Sequence, residues 1–357
     1  MKKILVTGGA GFIGSNFIRH ALALRPDWQL FNLDSLTYAG NPTNLDNLPE
    51  PHGRRYQFVH GDICDTRLLS NLFEQEKFGG VIHFAAESHV DRSILKPEAF
   101  IQTNVNGTFN LLEAGLERWR NENKPGGFRF LHISTDEVYG SLGPEGCFTE
   151  TTPYDPSSPY SASKAASDHL VKAYFRTFGL PALITNCSNN YGPYQFPEKL
   201  IPLMILNIIE NKELPVYGDG KNVRDWLYVM DHCDALLTVF EKGRPGQTYN
   251  VGGGTELQNI EIVYLLCDLL DERLKRSHGN SSRNLIRFVT DRPGHDRRYA
   301  IDASKIKNEL GWEASYRFEE AIGETVNWYL ANMEWVNSVR SGEYRNWIQK
   351  NYTERSE

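Results

Sequence analysis

The chain has 357 residues, of which 40% are apolar and 23% charged, and its formal net charge is −7 at pH 7. This composition supplies a core for one large or two ordinary domains and excludes a disordered, collagen-like or disulfide-stapled chain. The acidic charge argues against nucleic-acid binding, and no apolar run approaches the roughly 18 residues that would span a membrane.

The first residues and the cysteines bear on where the chain works. Two lysines, a short apolar run and then glycines open it, whereas a secretory signal needs a longer hydrophobic stretch and a small-residue cleavage site. The cysteines are odd in number and widely spaced, which is typical of reduced thiols. We therefore expect a cytoplasmic chain with free thiols at Cys64, Cys147, Cys187, Cys233 and Cys267.

Short β-branched segments alternate with helical segments through the first half of the chain. The predicted strands are Ile4–Thr7, Leu30–Asp34, Gln57–His60, Val81–Phe84, Phe130–Ser134 and Leu183–Asn186. The predicted helices between them are Phe12–Leu24, Leu68–Glu76, Ala99–Leu116 and Ser161–Phe178. This alternation predicts an α/β fold with a doubly wound parallel sheet that carries helices on both faces.

The pattern changes near residue 189. Prolines punctuate shorter elements from there to residue 215, and three consecutive glycines at 252–254 mark another break. We expect residues 1–188 and 224–252 to form the sheet domain, and residues 189–223 and 253–357 to form a smaller α/β lobe.

A glycine-rich turn directly follows the first strand and opens the first helix. The segment Thr7–Gly14 places Gly8, Gly11 and Gly14 in the spacing of a dinucleotide-binding fingerprint, with Phe12 and Ile13 at the helix start. Small residues let backbone N–H groups approach a pyrophosphate, and the helix N-terminus favours its negative charge. The turn therefore predicts a Rossmann-type cofactor site.

Two acidic residues at strand ends refine this prediction. Asp34 ends the second strand, twenty residues after Gly14, where a dinucleotide fold places the acid that binds the ribose. A carboxylate there accepts from a 2′-hydroxyl and repels a 2′-phosphate, so NAD is favoured over NADP. Asp62, after the third strand, is a candidate partner for the adenine amino group.

Tyr160 and Lys164 lie four residues apart, on one face of a predicted helix. A tyrosine phenol ordinarily has a pKa near 10, too high for a base at neutral pH. A neighbouring ammonium and a positive nicotinamide ring both favour the phenolate and lower that pKa. Behind a dinucleotide fingerprint, this pair predicts a base that takes a proton from an alcohol.

Two carboxylates follow the fifth strand in the string Ser134-Thr135-Asp136-Glu137. Oxidation of an alcohol needs no extra acid–base pair, whereas elimination of water needs one group to take a carbon-bound proton and another to protonate the departing hydroxyl. Adjacent strand residues point to opposite faces. The chain must therefore leave strand geometry at about Asp136 if both groups serve one site; otherwise one carboxylate is merely solvated.

With these motifs the chain resembles the extended short-chain dehydrogenase/reductase family, in which a Ser or Thr precedes the Tyr–Lys pair, and Thr135 matches that position. The resemblance covers nearly the whole chain. It extends through residues 85–93, 187–194 and 291–295 to family members that dehydrate a nucleotide sugar. It implies an NAD-dependent lyase that removes water from dTDP-glucose at C5 and C6, without a metal ion.

The resemblance also implies a mechanism. Tyr160 takes the O4 proton while NAD accepts hydride from C4, Thr135 bonds the same oxygen, and Lys164 holds the nicotinamide ribose. The C4 ketone acidifies the C5 proton, which Glu137 removes while Asp136 protonates the C6 hydroxyl. For Asp136 to act as an acid, burial beside Glu137 must raise its pKa. Hydride then returns to C6 and C5 is reprotonated, so the cofactor ends as it began.

Further binding residues are implied by the resemblance. Those expected to contact the cofactor, besides the glycine turn, Asp34, Asp62, Tyr160 and Lys164, are Ser35, Leu36, Thr37, Ile63, Phe84, Ala85, Ala86, Ser88, Thr103 and Asn190. Those expected to contact the nucleotide sugar are Ser88, Thr135, Asn189, Lys199, Leu200, Pro215, Val216, Tyr217, Arg224, Asn259, Asp291, Arg292 and His295.

The same resemblance implies a homodimer, in which helices Ala99–Leu116 and Ser161–Phe178 pair across a two-fold axis, although packing within one chain explains their apolar faces equally well. Three other functions remain open. A nucleotide-sugar 4-epimerase needs no carboxylate pair, a decarboxylase releases carbon dioxide, and an NAD-binding regulator has no turnover.

Overall fold

The computed structural model describes residues 1–46, 48–49, 52–124, 126–276 and 280–340. Residues 277–279 and 341–357 of the predicted second lobe therefore lie outside the described residues. Among those described, no helix combines the length and apolarity needed to cross a membrane. All five cysteines carry free thiols, as predicted.

A seven-stranded parallel sheet forms the centre of the molecule. Its spatial order is β10-β6-β5-β4-β1-β2-β3. The strands are β1 (Lys2–Thr7), β2 (Trp28–Asp34), β3 (Tyr56–His60), β4 (Gly80–His83), β5 (Arg129–Thr135), β6 (Ala182–Cys187) and β10 (Thr248–Val251). The doubly wound parallel sheet is confirmed. Its strand order reverses between β1 and β4, and ligands bind at such a switch point, beyond the carboxyl ends of the strands.

Helices cover both faces of this sheet. In chain order they are α1 (Phe12–Leu24), α2 (Thr66–Glu76), α3 (Val90–Leu95), α4 (Pro97–Phe100), α5 (Thr108–Asn121), α6 (Pro159–Phe178), α7 (Leu200–Ile209), α8 (Val229–Lys242), α9 (Asn259–Arg273), α10 (Ser304–Leu310), α11 (Phe318–Ala331) and α12 (Met333–Val339). Ile4 and Val6 of β1 pack with α1 and α8 in one core, and Leu5 packs with α2, α5 and α6 in another. Alternating side chains of one strand thus feed opposite cores.

The predicted helix Ala99–Leu116 is interrupted in the structure. Residues Ile101–Gly107 form a π-helical segment between α4 and α5. Within it, buried Asn104 donates to the Glu87 carbonyl oxygen (3.0 Å) and to Ser163 Oγ (2.8 Å), and accepts from the Glu87 amide (2.9 Å). These tertiary bonds favour a wider turn, a feature that often accompanies functional sites and that apolar spacing does not reveal.

Two smaller sheets lie beyond the central one. A three-stranded sheet joins β11 (Glu256–Gln258), β9 (Val223–Tyr228) and β7 (Asn189–Tyr191), and β12 (Ile286–Val289) pairs with β8 (Leu214–Tyr217). The segment 224–252, which we expected to return to the central sheet, does so through β10. Its first strand, β9, belongs instead to the three-stranded sheet, which begins directly after β6.

Candidate active site

The glycine turn lies at the carboxyl end of β1. Gly8 has φ of +72°, and a side-chain carbon there would lie 2.5 Å from the Ala85 amide nitrogen. A side-chain carbon at Gly14 would lie 2.3 Å from the Gly8 carbonyl oxygen, so only glycine permits this approach of helix and turn. Helix α1 begins after Gly11 without a side-chain cap, which leaves the positive end of its dipole available to an anion.

Asp34 is buried at the end of β2, beside this turn. Its two carboxylate oxygens accept from the amides of Ala10 (2.8 Å) and Leu36 (2.9 Å). Burial raises the pKa of Asp34, and these two bonds oppose the rise. Each oxygen keeps lone-pair capacity for a further donor, so the residue fits the predicted ribose-binding role.

The other predicted cofactor residues surround the same edge of the sheet. Ser35, Leu36 and Thr37 follow β2, with Leu36 left-handed at φ 52°, and Asp62 and Ile63 follow β3. Phe84, Ala85 and Ala86 follow β4, Thr103 lies in the π-helical segment, and Asn190 lies on β7. The carboxyl ends of four neighbouring strands thus converge as a dinucleotide site requires.

The predicted catalytic residues Thr135, Asp136 and Glu137 lie where β5 ends. Thr135 is the last strand residue, and Asp136–Tyr139 form a single 3₁₀ turn. The Thr135 hydroxyl accepts from the Glu137 amide (3.3 Å) and donates to Asp136 Oδ1 (3.3 Å). The chain therefore leaves strand geometry at Asp136. This departure is what the sequence requires if both carboxylates are to serve one site.

Burial controls the protonation of the two carboxyl groups. The pKa of Asp136 is raised well above its ordinary value by burial and by the neighbouring Glu137 charge. Its Oδ2 is buried and has no hydrogen-bond partner among the described residues. Burial also raises the pKa of Glu137, while Arg292, Lys199 and Arg224 oppose the rise. Burial thus favours the acid form of Asp136, while three cations limit the same rise at Glu137.

Tyr160 and Lys164 lie in the first turns of α6, which Ser158 caps through a reciprocal pair with Ser161. Burial, and then Glu137, raise the pKa of Tyr160, and the Thr135 hydroxyl opposes the rise. The predicted lowering combines the charges of Lys164 and of a nicotinamide ring, and of these two only Lys164 belongs to the chain. The Lys164 ammonium, one of two cations expected to lower that pKa, instead donates to the Ile133 carbonyl oxygen at 2.8 Å. Lys164 by itself does not offset the cost of burying a phenolate.

The predicted substrate residues occupy one wall beyond these groups. Pro215, Val216 and Tyr217 lie on β8, Arg224 on β9, Asn189 on β7, and Leu200 and Asn259 begin α7 and α9. The Lys199 ammonium donates to the Ser88 carbonyl oxygen (3.3 Å), and His295 pairs with Asp291 (2.6 Å) beside the Tyr217 ring.

Several polar atoms of this wall lack a hydrogen-bond partner within the described part of the chain. Asn189 Oδ1, Asn259 Oδ1 and Arg292 Nε are buried and have no hydrogen-bond partner among the described residues. Arg224 is buried, stacks on Tyr299 at 4.3 Å and donates one N–H to the Asp296 carbonyl oxygen. Buried polar atoms are nearly always satisfied, so a ligand that offers donors to the amide oxygens and acceptors to the guanidinium groups fits this wall.

Some residues beside the site were not predicted. Arg92 lies 3.7 Å above the Tyr38 ring and pairs with buried Glu198 at 3.0 Å, next to Lys199. Asp225, whose pKa burial raises to about 6, lies beside Asp136. No spacing rule marks either group, because their partners are distant in the chain.

Comparison with known proteins bears on this site. The family model described as GDP-mannose 4,6 dehydratase matches residues 5–325. A dTDP-glucose 4,6-dehydratase from Xanthomonas campestris is 59% identical over 96% of this chain and 97% of its own. The crystal structure of a dTDP-glucose 4,6-dehydratase from Bacillus anthracis in complex with NAD is 46% identical, with a TM-score of 0.84 over 95% of this chain and 100% of that one.

Epimerases share the fold at lower identity. The structure of UDP-glucose 4-epimerase from Thermotoga maritima has a TM-score of 0.81 over 93% of this chain and 99% of that one, but is 27% identical. The similarity in fold therefore does not distinguish a dehydratase from an epimerase. The distinction has to come from the residues at the end of β5.

Proposed function

The chain belongs to the GDP-mannose 4,6 dehydratase family, and we propose that it is the enzyme that converts dTDP-D-glucose to dTDP-4-dehydro-6-deoxy-D-glucose and water. The observation that carries this proposal is the placement of Asp136 and Glu137 on one 3₁₀ turn, directly after Thr135. A 4-epimerase returns hydride to C4 and has no use for this acid–base pair.

The resident cofactor is NAD. The glycine turn admits no side chain at Gly8 or Gly14, and Asp34 offers carboxylate oxygens for a ribose hydroxyl, so the residues present fit the group. They would hold its pyrophosphate at the start of α1 and its adenosine between Asp34 and Asp62. When bound, NAD supplies reversible hydride acceptance, taking hydride from C4 of the sugar and giving it to C6.

In the first stage the chain's residues remove a proton from O4. Tyr160 accepts it, with Thr135 donating a hydrogen bond to the same oxygen. The raised pKa of Tyr160 means that this step depends on added positive charge near the phenol. Lys164, one turn away on α6, supplies part of this charge and would also hold the ribose; the nicotinamide ring would supply the rest when bound.

In the second stage the carboxyl groups remove water. The C4 ketone makes the C5 proton acidic, and Glu137 takes it while Asp136 gives its proton to the departing C6 hydroxyl. Glu137 returns a proton to C5 as hydride reaches C6, and the proton that Tyr160 took from O4 balances the one that Asp136 lost. Burial and the neighbouring Glu137 raise the pKa of Asp136, which favours the acid form that this step needs. The cations at Lys199, Arg224 and Arg292 stabilise the Glu137 anion.

The substrate's nucleotide and pyrophosphate would lie against β8, β9 and the start of α9. Arg224 and Arg292 offer guanidinium donors suited to phosphate oxygens, and Asn189 and Asn259 offer buried amide oxygens. Tyr217 and His295 form an aromatic corner beside Asp291. Residues 1–188 with 224–252 would be the NAD domain, and residues 189–223 with 253–357 the nucleotide-sugar domain.

One labelling experiment tests the whole sequence of steps. dTDP-glucose carrying deuterium at C4 is converted, and the product is analysed by mass spectrometry and NMR. Loss of water with deuterium in the C6 methyl group supports the proposal. A product of unchanged mass indicates an epimerase, loss of carbon dioxide indicates a decarboxylase, and no turnover indicates a binding protein; each of these three results overturns it.

Homodimerisation and cytoplasmic location are further parts of this proposal. Ile101 and Phe109, about half exposed beside and on α5, support a second copy packed on this face. We expect the wild-type chain to sediment as a dimer and Phe109→Asp to shift it toward monomer; a monomeric wild type contradicts this. The free thiols support a reducing compartment.

A further inference from the structure

A cluster of ionisable side chains lies beneath the Tyr160–Lys164 pair, and the proposed reaction does not use it. Asp168 follows Lys164 by one turn of α6, and His132 lies on the neighbouring strand β5; both are fully buried. His132 Nε2 lies 3.3 Å from the Lys164 ammonium and 3.3 Å from Asp168 Oδ1. A buried cation and a buried anion therefore both contact one nitrogen of this imidazole.

In this cluster the Asp168 carboxylate and the Lys164 ammonium stabilise each other's charge. The pKa of His132 is lowered to about 4 by burial and by Lys164, so its ring is neutral. Burial alone would raise the pKa of Asp168, but its hydrogen bonds and the Lys164 charge outweigh burial and lower it. Burial lowers the pKa of Lys164 to about 8, and Asp168 opposes that fall. Other titratable groups that face these three are Cys187, His83, Tyr139, Tyr154 and Lys172.

The remaining bonds of Asp168 do not need its charge. Its Oδ2 accepts from Ser134 Oγ (3.0 Å), Tyr154 OH (2.9 Å) and Asn186 Nδ2 (3.4 Å). The amide oxygen of an asparagine could accept from such donors equally well. Burying an ionised carboxylate is costly unless it is paired. What distinguishes aspartate here is Oδ1, which has no hydrogen-bond partner other than the His132 contact among the described residues.

The cluster also reaches the cofactor turn. The His83 ring lies 5.1 Å from the His132 ring, and its Nδ1 lies 2.7 Å from the hydroxyl of Thr7, which precedes the glycine turn. The two histidines, on neighbouring strands β4 and β5, thus connect Lys164 to the turn that precedes the cofactor site.

We propose that Asp168 is a positioning residue, which through His132 fixes the charge and place of the Lys164 ammonium and so supports proton removal by Tyr160. The inference rests on the proposed function. It assigns no contact between Asp168 and either ligand. It predicts that Asp168 matters for the first stage, C4 oxidation, and not for substrate binding.

The test compares Asp168→Asn holoenzyme with the wild type. The rate of cofactor reduction is measured in single turnover with dTDP-glucose over a range of pH. Because the Asp168 carboxylate raises the pKa of Lys164, its removal should let Lys164 lose its charge at a lower pH. The alkaline limb is the fall of the rate as pH rises, and we expect this limb to move to lower pH in the variant. A shift of roughly one pKa unit would lower the rate about tenfold above neutral pH. We expect KM for dTDP-glucose to stay within about twofold.

Matched controls separate this role from a structural one. Ser134→Ala and Tyr154→Phe each remove a hydrogen bond to the same carboxylate and leave its charge. We expect both to lower Tm without moving the alkaline limb. An Asp168→Asn variant that behaves like these controls overturns the proposal.

A second variant keeps the test decisive if Asp168→Asn does not fold. His132→Gln removes the ring that contacts both Lys164 and Asp168, and we expect the alkaline limb to move in the same way. An unmoved limb in His132→Gln overturns the proposal. Wild-type enzyme assayed in parallel for water loss shows whether the proposed function itself fails, because that result does not depend on any variant.

Discussion

The hydroxyl of Thr135 donates to the carboxylate of Asp136 across 3.3 Å, although the two residues are neighbours in the chain. The bond forms because β5 ends at Thr135 and a 3₁₀ turn begins at Asp136. In a continuing strand the two side chains would point to opposite faces. The strand end therefore brings an alcohol-binding group and an acid to one place.

Replacing both carboxyl groups should separate the two stages of the reaction. With Asp136→Asn and Glu137→Gln together, we expect NAD reduction to persist while 4-keto-6-deoxy product falls by about 10²–10⁴-fold, the usual contribution of general acid–base catalysis. Absorbance of reduced cofactor and mass spectrometry of the sugar measure the two stages. Product formed at an ordinary rate by the double variant would show that the assigned roles are wrong.

Tyr160→Phe should block the first stage. The phenol is buried against Phe100 and Val90, so the phenylalanine keeps the packing and loses only the hydroxyl. We expect the single-turnover rate of NAD reduction to fall by at least about 10²-fold, with Tm little changed. Tyr174→Phe, which removes a hydroxyl from the same helix far from the site, is the control and should retain the rate. Near-normal hydride transfer in Tyr160→Phe would contradict the assignment.

The raised pKa of Asp136 links activity and stability to pH. Because its pKa is higher in the folded than in the unfolded chain, Asp136 lowers stability as pH rises through that interval. We therefore expect Asp136→Asn to be more stable than wild type at neutral pH, by about 0.5–2 kcal/mol, though inactive in water loss. In wild type, water loss should decline at alkaline pH as Asp136 ionises.

Glu210 provides a control in which loss of the charge should change stability in the opposite direction. The pKa of its carboxyl is lowered to about 2 by Arg340, so its charge stabilises the fold above the ordinary glutamate pKa. Glu210→Gln should lower Tm at neutral pH, where Asp136→Asn raises it. Urea unfolding of both variants at neutral and acidic pH measures the difference. The same sign for both variants would refute this account.

The glycine turn should separate folding from cofactor binding. A side-chain carbon at Gly14 meets backbone atoms at 2.3 Å, whereas one at Gly11 meets only the Gly8 carbonyl oxygen, at 3.3 Å. We expect Gly14→Ala to lose several kcal/mol of stability, as overpacking against backbone does, and Gly11→Ala to fold but retain less NAD. Tm and the cofactor content of purified protein measure this; equal stability in the two variants would contradict it.

Local chemistry explains why much of the fold followed from sequence. The six strands predicted in the first half coincide with β1 to β6 to within two residues at either end, because β-branched runs between turns form buried parallel strands. Helix α1 begins and ends at the predicted residues, Phe12 and Leu24. The π-helical segment at Ile101–Gly107 was not predicted, since the bonds of Asn104 that favour it come from residues 87 and 163.

The sequence by itself determined the cofactor turn, the Tyr160–Lys164 spacing and the adjacency of Asp136 and Glu137, because each depends on residues a few positions apart. Only the tertiary structure decided the direction of the Tyr160 pKa and the neighbours of Lys164. Burial and electrostatic contact depend on which distant strands meet. His132 and Asp168 lie beneath the active site only because β5 and α6 pack together, and no local spacing encodes that contact.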